Sequence, residues 1–345
     1  MELDHEYRPR IHFTPAENWM NDPNGLVWHK GEYHLFFQHN PQGRQWGHMS
    51  WGHAVSKDLL TWEELPIAIP EDDDGAIFSG SAVSDGDDIV AIYTRHTETN
   101  QSQCIARSKD NGRTFVKYEN NPVLDENKKD FRDPKVFKYM DHWIMCVAQP
   151  HDHQISFYSS TDLINWKHLS DFGPAAAQDG VWECPDLFPL YLNKKEVWVL
   201  IVSLNPGGLY GSGTQYFIGD FDGTTFVPRY STDKPRWLDF GKDNYAGVTF
   251  SNTTNRRIFI GWMSNWEYAS KIAAARWFQA SISSERLARS FRVSRKAPSQ
   301  NLPIEISMYV RAPPRNVHGS VRLVARVGLP QSSFIACAMI QPCTS

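Results

Sequence analysis

Apolar positions along the chain fall in short bursts rather than in long stripes. Glu32-Tyr33-His34-Leu35-Phe36-Phe37 and Val197-Trp198-Val199-Leu200-Ile201-Val202 carry the pattern of strands, and helical periodicity is scarce before residue 270. The pattern predicts an all-β chain. Superimposed on it is a longer repeat: Ser56-Lys57-Asp58-Leu59-Leu60-Thr61-Trp62, Ser108-Lys109-Asp110-Asn111-Gly112-Arg113-Thr114-Phe115 and Ser160-Thr161-Asp162-Leu163-Ile164-Asn165-Trp166 start 52 residues apart. Phe221-Asp222-Gly223-Thr224-Thr225-Phe226 is a degenerate fourth copy. A period near fifty that holds about four short strands is the size of a propeller blade. Spread over residues 1–270, it leads to the expectation of a five-bladed β-propeller. A large β-sandwich is the alternative. In each copy the aspartate would close a turn between strands while the Trp or Phe packs between blades.

Composition adds a boundary. The formal net charge is −4, but residues 271–345 hold eleven Lys or Arg against two acids, leaving −13 on residues 1–270. So acidic a body disfavours nucleic acid as a partner. No stretch is long and apolar enough to cross a membrane, which argues against a membrane partner. The start, Met1-Glu2-Leu3-Asp4-His5-Glu6, lacks the regions of a signal peptide, so the expectation is a cytoplasmic protein, or a secreted one if a leader has been removed. Cys104, Cys146, Cys184, Cys337 and Cys343 are scattered without a Cys-x-x-Cys pair, which argues against a zinc site and a disulfide framework. His142, His151 and His153 match no metal motif, and no metal or other cofactor is expected.

Three acids carry the candidate chemistry. Asp22 lies in Asn18-Trp19-Met20-Asn21-Asp22-Pro23-Asn24-Gly25, Asp133 in Phe131-Arg132-Asp133-Pro134, and Glu183 in Trp182-Glu183-Cys184-Pro185-Asp186. Each stands next to, or two residues before, a proline in an aromatic setting, and the thirteen tryptophans of the chain fit stacking against sugar faces. Cleaving a glycosidic bond with retention takes two carboxyl groups about 5 Å apart, one attacking the anomeric carbon and one protonating the leaving oxygen. Asp22, flanked by Asn21 and Asn24 as donors, suits the ionised nucleophile. Glu183, among Val181, Trp182, Cys184 and Pro185, suits an acid kept protonated by apolar surroundings. Asp133 beside Arg132 reads as permanently ionised and suited to holding sugar hydroxyls. For any one acid alone, a salt bridge or a turn cap is the plainer explanation. Three in blade-sized segments converge only if loops at one end of different blades meet at an axis.

The chain resembles glycoside hydrolase family 32, the invertases, inulinases and levanases that cleave β-fructofuranosides. The resemblance rests on Trp-Met-Asn-Asp-Pro-Asn-Gly at 19–25, Phe-Ser-Gly-Ser-Ala at 78–82, Arg-Asp-Pro at 132–134, Glu-Cys-Pro-Asp at 183–186 and Asp-Phe-Gly-Lys-Asp at 239–243, and runs from about residue 6 to about 268. It implies Asp22 as nucleophile, Asp133 as transition-state stabiliser and Glu183 as acid/base, with Asn21, Gln38, Trp46, Phe78, Ser79 and Arg132 lining a fructosyl pocket. Ordinary packing is the plainer reading of each lining residue, of Trp46 and Phe78 above all, and Cys184 reads as a small core residue. Segments 46–53, 204–208 and 211–217 look closest to the exo-acting fructanases. The implied activity is release of terminal fructosyl units from fructans (inulin, levan) and sucrose. The alternatives are an invertase acting mainly on sucrose, a fructosyltransferase, or a non-catalytic sugar-binding propeller. The oligomeric state is not readable.

The resemblance stops near Ser270. The family continues into a β-sandwich, whereas here Lys271-Ile272-Ala273-Ala274-Ala275-Arg276-Trp277 opens a stretch with nine Arg, two Lys and no convincing strand pattern. The expected domains are a catalytic propeller over 1–270 and, in place of the sandwich, a divergent or frameshifted basic segment over 271–345 that is expected to be disordered. Loss of strands there would leave an exposed sheet edge.

Overall fold

A computed structural model describes residues 12–192, 195–254, 256–271, 282–287, 307–310 and 321–324. Strands β1 (Trp19–His29), β2 (Glu32–Asn40), β3 (Ser50–Ser56) and β4 (Glu63–Ile69) form one antiparallel sheet in sequence order. A second holds β5 (Ala76–Asp85), β6 (Asp88–His96), β7 (Gln101–Ser108) and β8 (Val116–Lys117), with β9 (Leu124–Lys128) also on β7. The third contains β10 (Arg132–Tyr139), β11 (His142–Gln149), β12 (Gln154–Ser160) and β13 (Lys167–Phe172), and the fourth β14 (Val181–Leu192), β15 (Lys195–Gly208), β16 (Gly211–Phe221) and β17 (Phe226–Pro228). A last sheet has three strands, β18 (Tyr245–Thr249), β19 (Arg257–Trp262) and β20 (Ile282–Leu287), and β21 (Ser307–Val310) pairs with β22 (Val321–Val324).

The chain is an all-β propeller, but the expectation of five blades is corrected. Four sheets have a full complement of strands, and the last, among the described residues, has three. The Ser-x-Asp repeat shows why dividing length by period overcounted. Its copies are the turns from third to fourth strand, and they number four, one per complete blade. In three of them the serine hydroxyl bonds the aspartate two residues on, as Ser56 does Asp58 at 3.1 Å. The aspartate Oδ1 accepts the following amides: Leu60 and Thr61 on Asp58, Arg113 and Thr114 on Asp110, Ile164 and Asn165 on Asp162, and Thr224 and Thr225 on Asp222. After residue 229 Ser231 Oγ again bonds Asp233, at 2.6 Å, but this pair lies in the connection from β17 to β18 and not between a third and a fourth strand. The chain there runs beside β16 instead, with Tyr216 N bonding Arg236 O and Leu238 N bonding Thr214 O.

Apolar clusters fill the spaces between sheets. One joins Val27, Phe36 and Trp51 to Ile89 and Tyr93, another Val90 and Ile92 to Phe131 and Met145, and a third Ile144 and Phe157 to Trp182 and Phe217. Trp62, Phe115, Trp166 and Phe226, the aromatic ends of the repeat, all pack into these layers or into the cluster of Trp19 and Trp262. Each fully buried aromatic contributes about 2–3 kcal/mol of transfer free energy. The ring closes where the last sheet meets the first: Trp28 N bonds Ser251 O, Ser251 N bonds Leu26 O, and the Ser251 hydroxyl also bonds Leu26 O at 3.0 Å.

The expectation for 271–345 falls, apart from Lys271 and β20 to β22, outside the described residues. β20 lies beyond residue 270 and pairs in register with β19, from Arg257 opposite Leu287 to Trp262 opposite Ile282. Cys104, Cys146 and Cys184 are buried free thiols.

Candidate active site

The first strands of the sheets, β1, β5, β10, β14 and β18, pack against one another around the axis. Each loses register with its neighbour near its beginning: between Met20 and Pro23, Phe78 and Gly80, Arg132 and Lys135, Glu183 and Asp186, and Tyr245 and Val248. A bulge turns a side chain out of the alternation and toward one end of the sheet. Proline tolerates such positions because its missing N–H removes no ladder bond there, which explains Pro23, Pro134 and Pro185 directly beside the candidate acids or one residue further. Asp133 (φ 65°) and Cys184 (φ 47°) take left-handed backbone at these points, a conformation side-chain-bearing residues adopt rarely.

The bulges bring Asp22 and Asp133 onto one thiol, with Glu183 nearby. Cys184 Sγ lies 3.7 Å from Asp22 Oδ2 and 3.5 Å from Asp133 Oδ2, and Cys184 N donates to Asp133 Oδ2 at 2.8 Å. Asp22 accepts from Asn21 Nδ2 at 3.0 Å and from the Ser79 hydroxyl at 2.8 Å. Burial raises the Asp22 pKa; the Asn21 bond opposes this, the Glu183 charge adds to it, and Ser79 opposes it again. Asp133 is raised too, by burial first, against the pull of Arg132 and with the charges of Glu183 and Asp22 adding. Cys184 is pushed far up by burial and by the three carboxyls, so the thiol sits there as a neutral S–H.

Glu183 has a different environment from the apolar one its sequence neighbours suggest. Its Oε1 accepts from Arg132 Nε at 3.2 Å and Nη2 at 3.0 Å, and its Oε2 accepts from the Tyr245 hydroxyl. Neighbours along a strand point to opposite faces. Trp182 accordingly turns into the core, its Nε1 bonding Ala177 O. Arg132 reaches past Asp133 to Glu183 and to Asp130 at 2.8 Å, so Asp133 is not the ion-pair partner that adjacency suggested. Burial works against the Arg132 charge, but Glu183, Asp133 and Asp130 outweigh it and hold the pKa up.

Of the other expected residues, Asn21 orients Asp22 and is itself fixed by Trp19 Nε1 at 2.7 Å. Asn24 donates to the Asp22 carbonyl rather than its carboxylate, and Ser79, expected only to line the pocket, donates to that carboxylate instead. Gln38 is buried with its Nε2 unpartnered among the described residues, an amide donor free for a ligand hydroxyl. Trp46 is half exposed rather than core. Its ring meets Phe78 edge-on at 6.0 Å, and Phe78 stacks on His96 at 4.2 Å. Sequence reasoning missed Tyr245, two residues beyond the Asp-Phe-Gly-Lys-Asp segment, and Gln101, whose Oε1 accepts Phe131 N at 2.8 Å and Arg132 Nη1 at 3.2 Å. Only the continuation of that segment into Asn244-Tyr245 hinted at the first, and nothing marked the second.

Further along the same strands, away from the acids, a cavity of about 540 Å³ is lined by Ser84, Lys135, Lys138, Asp186, Trp198 and Arg257 among others. None of the three acids reaches it. Beside it, buried Asp186 Oδ2 pairs with Lys135 Nζ at 3.1 Å and accepts from Thr249 N at 2.6 Å and Oγ1 at 2.7 Å, joining β10, β14 and β18 below the acids. Among the described residues no helix is long and apolar enough to cross a membrane.

Residues 12–297 match the family model described as glycosyl hydrolases family 32 N-terminal domain. The chain is 49% identical over 299 residues to a levanase of Bacillus subtilis (strain 168), covering 80% of this chain and 44% of that protein. It is 42% identical over 327 residues to an extracellular exo-inulinase of Aspergillus awamori, covering 80% and 61%. Among solved structures it is similar to the exo-inulinase from Aspergillus awamori (TM-score 0.79, 39% identity, 85% of this chain and 66% of that one). A fructofuranosidase from Schwanniomyces occidentalis complexed with fructose is similar as well (TM-score 0.82, 41% identity, 88% and 64%). The chain thus spans 44% and 61% of the length of these two curated relatives.

Proposed function

The chain belongs to glycosyl hydrolase family 32, and on that footing we propose that it releases terminal β-D-fructofuranosyl units from fructans and sucrose by double displacement. The observation that carries the proposal is the convergence of Asp22 and Asp133 on the Cys184 thiol, with Glu183 of the same strand as Cys184 close enough that its charge acts on both. In the first step Asp22 attacks the anomeric carbon of the fructosyl unit while Glu183 gives its proton to the departing oxygen, leaving a fructosyl ester on Asp22. In the second, Glu183 as carboxylate takes a proton from water, the water oxygen attacks the same carbon, and the ester bond to Asp22 breaks. Asn21 and Ser79 hold the attacking carboxylate in one orientation. Arg132 and Tyr245 fix Glu183. Asp133, kept in place by Cys184 N, accepts sugar hydroxyls as the ring flattens in the transition state. Gln38, Trp46 and Phe78 complete the fructosyl pocket.

Relatives described as extracellular exo-inulinases favour action outside the cell over the cytoplasmic alternative. The test is fructose release from inulin, levan and sucrose by the purified chain and its Asp22→Asn and Glu183→Gln variants. Both variants are expected to lose more than about a thousandfold in kcat. Comparable release by either variant would refute the assigned roles.

A further inference from the structure

The exposed large apolar side chains lie on strands, turns and loops, and three of them belong to one place: Leu209 (49% exposed), Tyr210 (48%) and Phe240 (54%). The first two form the tip of the hairpin between β15 and β16, where Gly208 stands opposite Gly211. Phe240 follows the segment that runs along β16 through Leu238 N to Thr214 O and so arrives at the same tip. One buried side chain locks these pieces together. Asn265 Nδ2 donates to Tyr210 O at 2.9 Å and Lys242 O at 2.8 Å, while its Oδ1 accepts from Ser212 N at 3.3 Å and Glu267 N at 3.0 Å. The apolar tip is therefore held in shape before any ligand arrives, so little ordering cost falls on binding.

Its position relative to the acids is set by strand register. Glu183 pairs with Ser203 on β15, and β15 bulges before its tip: Ser203 stands opposite Thr214 and Gly208 opposite Gly211, so five residues advance only as far as three on β16. At about 3.3 Å per residue the tip stands about 10 Å beyond Glu183. It lies on the side of the site where Glu183 protonates the leaving group. A rim so placed stands at the outer edge of a disaccharide whose fructosyl unit sits on Asp22. It can touch a long substrate.

Building on the reading above, we propose that Leu209, Tyr210 and Phe240 form a distal platform for the neutral fructan chain that leaves on the Glu183 side, making this protein selective for polymer over sucrose. Aromatic rings offer such a chain broad apolar faces at small cost in side-chain entropy. The platform contributes to KM for long substrates and nothing to the bond-breaking step.

The experiment compares long-chain inulin with sucrose for the wild-type chain, the Tyr210→Ala/Phe240→Ala double variant and Tyr210→Phe. The double variant is expected to lose about tenfold in kcat/KM on inulin, through KM, with sucrose kinetics unchanged within about twofold, and Tyr210→Phe to behave as wild type. An unchanged inulin-to-sucrose ratio in the double variant overturns the platform while leaving the proposed activity standing. A shift in sedimentation with that ratio unchanged assigns the patch to a second copy of the chain and overturns it equally. A folded wild-type chain that releases fructose from neither substrate overturns both proposals.

Discussion

Replacing Asp186 by Ala should unfold this protein more readily than removing any of the acids above it. Asp186 is fully buried, and so, at 5% side-chain exposure, is its partner Lys135. The substitution strands the ammonium without its carboxylate and leaves Thr249 N–H and hydroxyl without their acceptor. Breaking one side of a buried pair costs about 3–5 kcal/mol, and the orphaned amide adds about 1 kcal/mol or more. Against a total stability of about 5–15 kcal/mol this is roughly a quarter or more of the whole. The Lys135→Met/Asp186→Leu pair removes both charges, and its cost is expected to stay near 2 kcal/mol or below, because an apolar pair of similar volume needs no compensation. Urea unfolding followed by tryptophan fluorescence of the wild type, Lys135→Met, Asp186→Leu and the double variant gives all four corners of the cycle, with a coupling of about 2 kcal/mol or more expected. A double variant whose cost equals the sum of the two single ones would refute the reasoning, since the ion pair would then carry no interaction of its own.

Two further outcomes follow from the acids themselves. Ser79→Ala removes a donor that favours ionised Asp22, so the acidic limb of the kcat/KM profile should move to higher pH, read from initial rates on sucrose across pH. An unmoved limb would separate Ser79 from the titration of Asp22. Asp22 and Asp133 both have folded pKa values raised above the unfolded one, so their ionised forms weaken the fold above the unfolded carboxyl range, and the penalty disappears as pH falls through it. Asp133→Asn should therefore raise the melting temperature at pH 7, with the gain fading toward about pH 4, while activity is lost. A lower melting temperature at pH 7, by calorimetry, would contradict that sign.

The residues near each acid were legible in sequence, whereas their partners were not. Acid-proline pairs marked the bulges at Asp22 and Asp133, because proline is tolerated where a ladder bond is already missing. The same local reading misjudged Glu183, since adjacency along a strand says which residues point away from it, and its actual partners Arg132 and Tyr245 lie 51 and 62 residues off. Cys184 looked like core and is buried, but its position between two carboxylates depends on a left-handed backbone that no composition signals. Blade number was written in the four aspartate-closed turns between third and fourth strands and miscounted from length, because the last sheet shows no such turn among the described residues.

The closure of the ring through Ser251 also fixes an order of events at the ribosome. Leu26, near the beginning of the chain, waits for a partner 225 residues later. At about 5–20 residues per second, that partner emerges roughly 10–45 s after it. Asp22 and Glu183 leave the tunnel earlier, yet Tyr245 and the sheet that seals the axis arrive only with the last of those residues. A nascent chain thus carries Asp22 for most of its synthesis with one flank of the first blade uncovered, and a chaperone that shields this edge acts on the interval in which the chain is being made rather than on the finished protein.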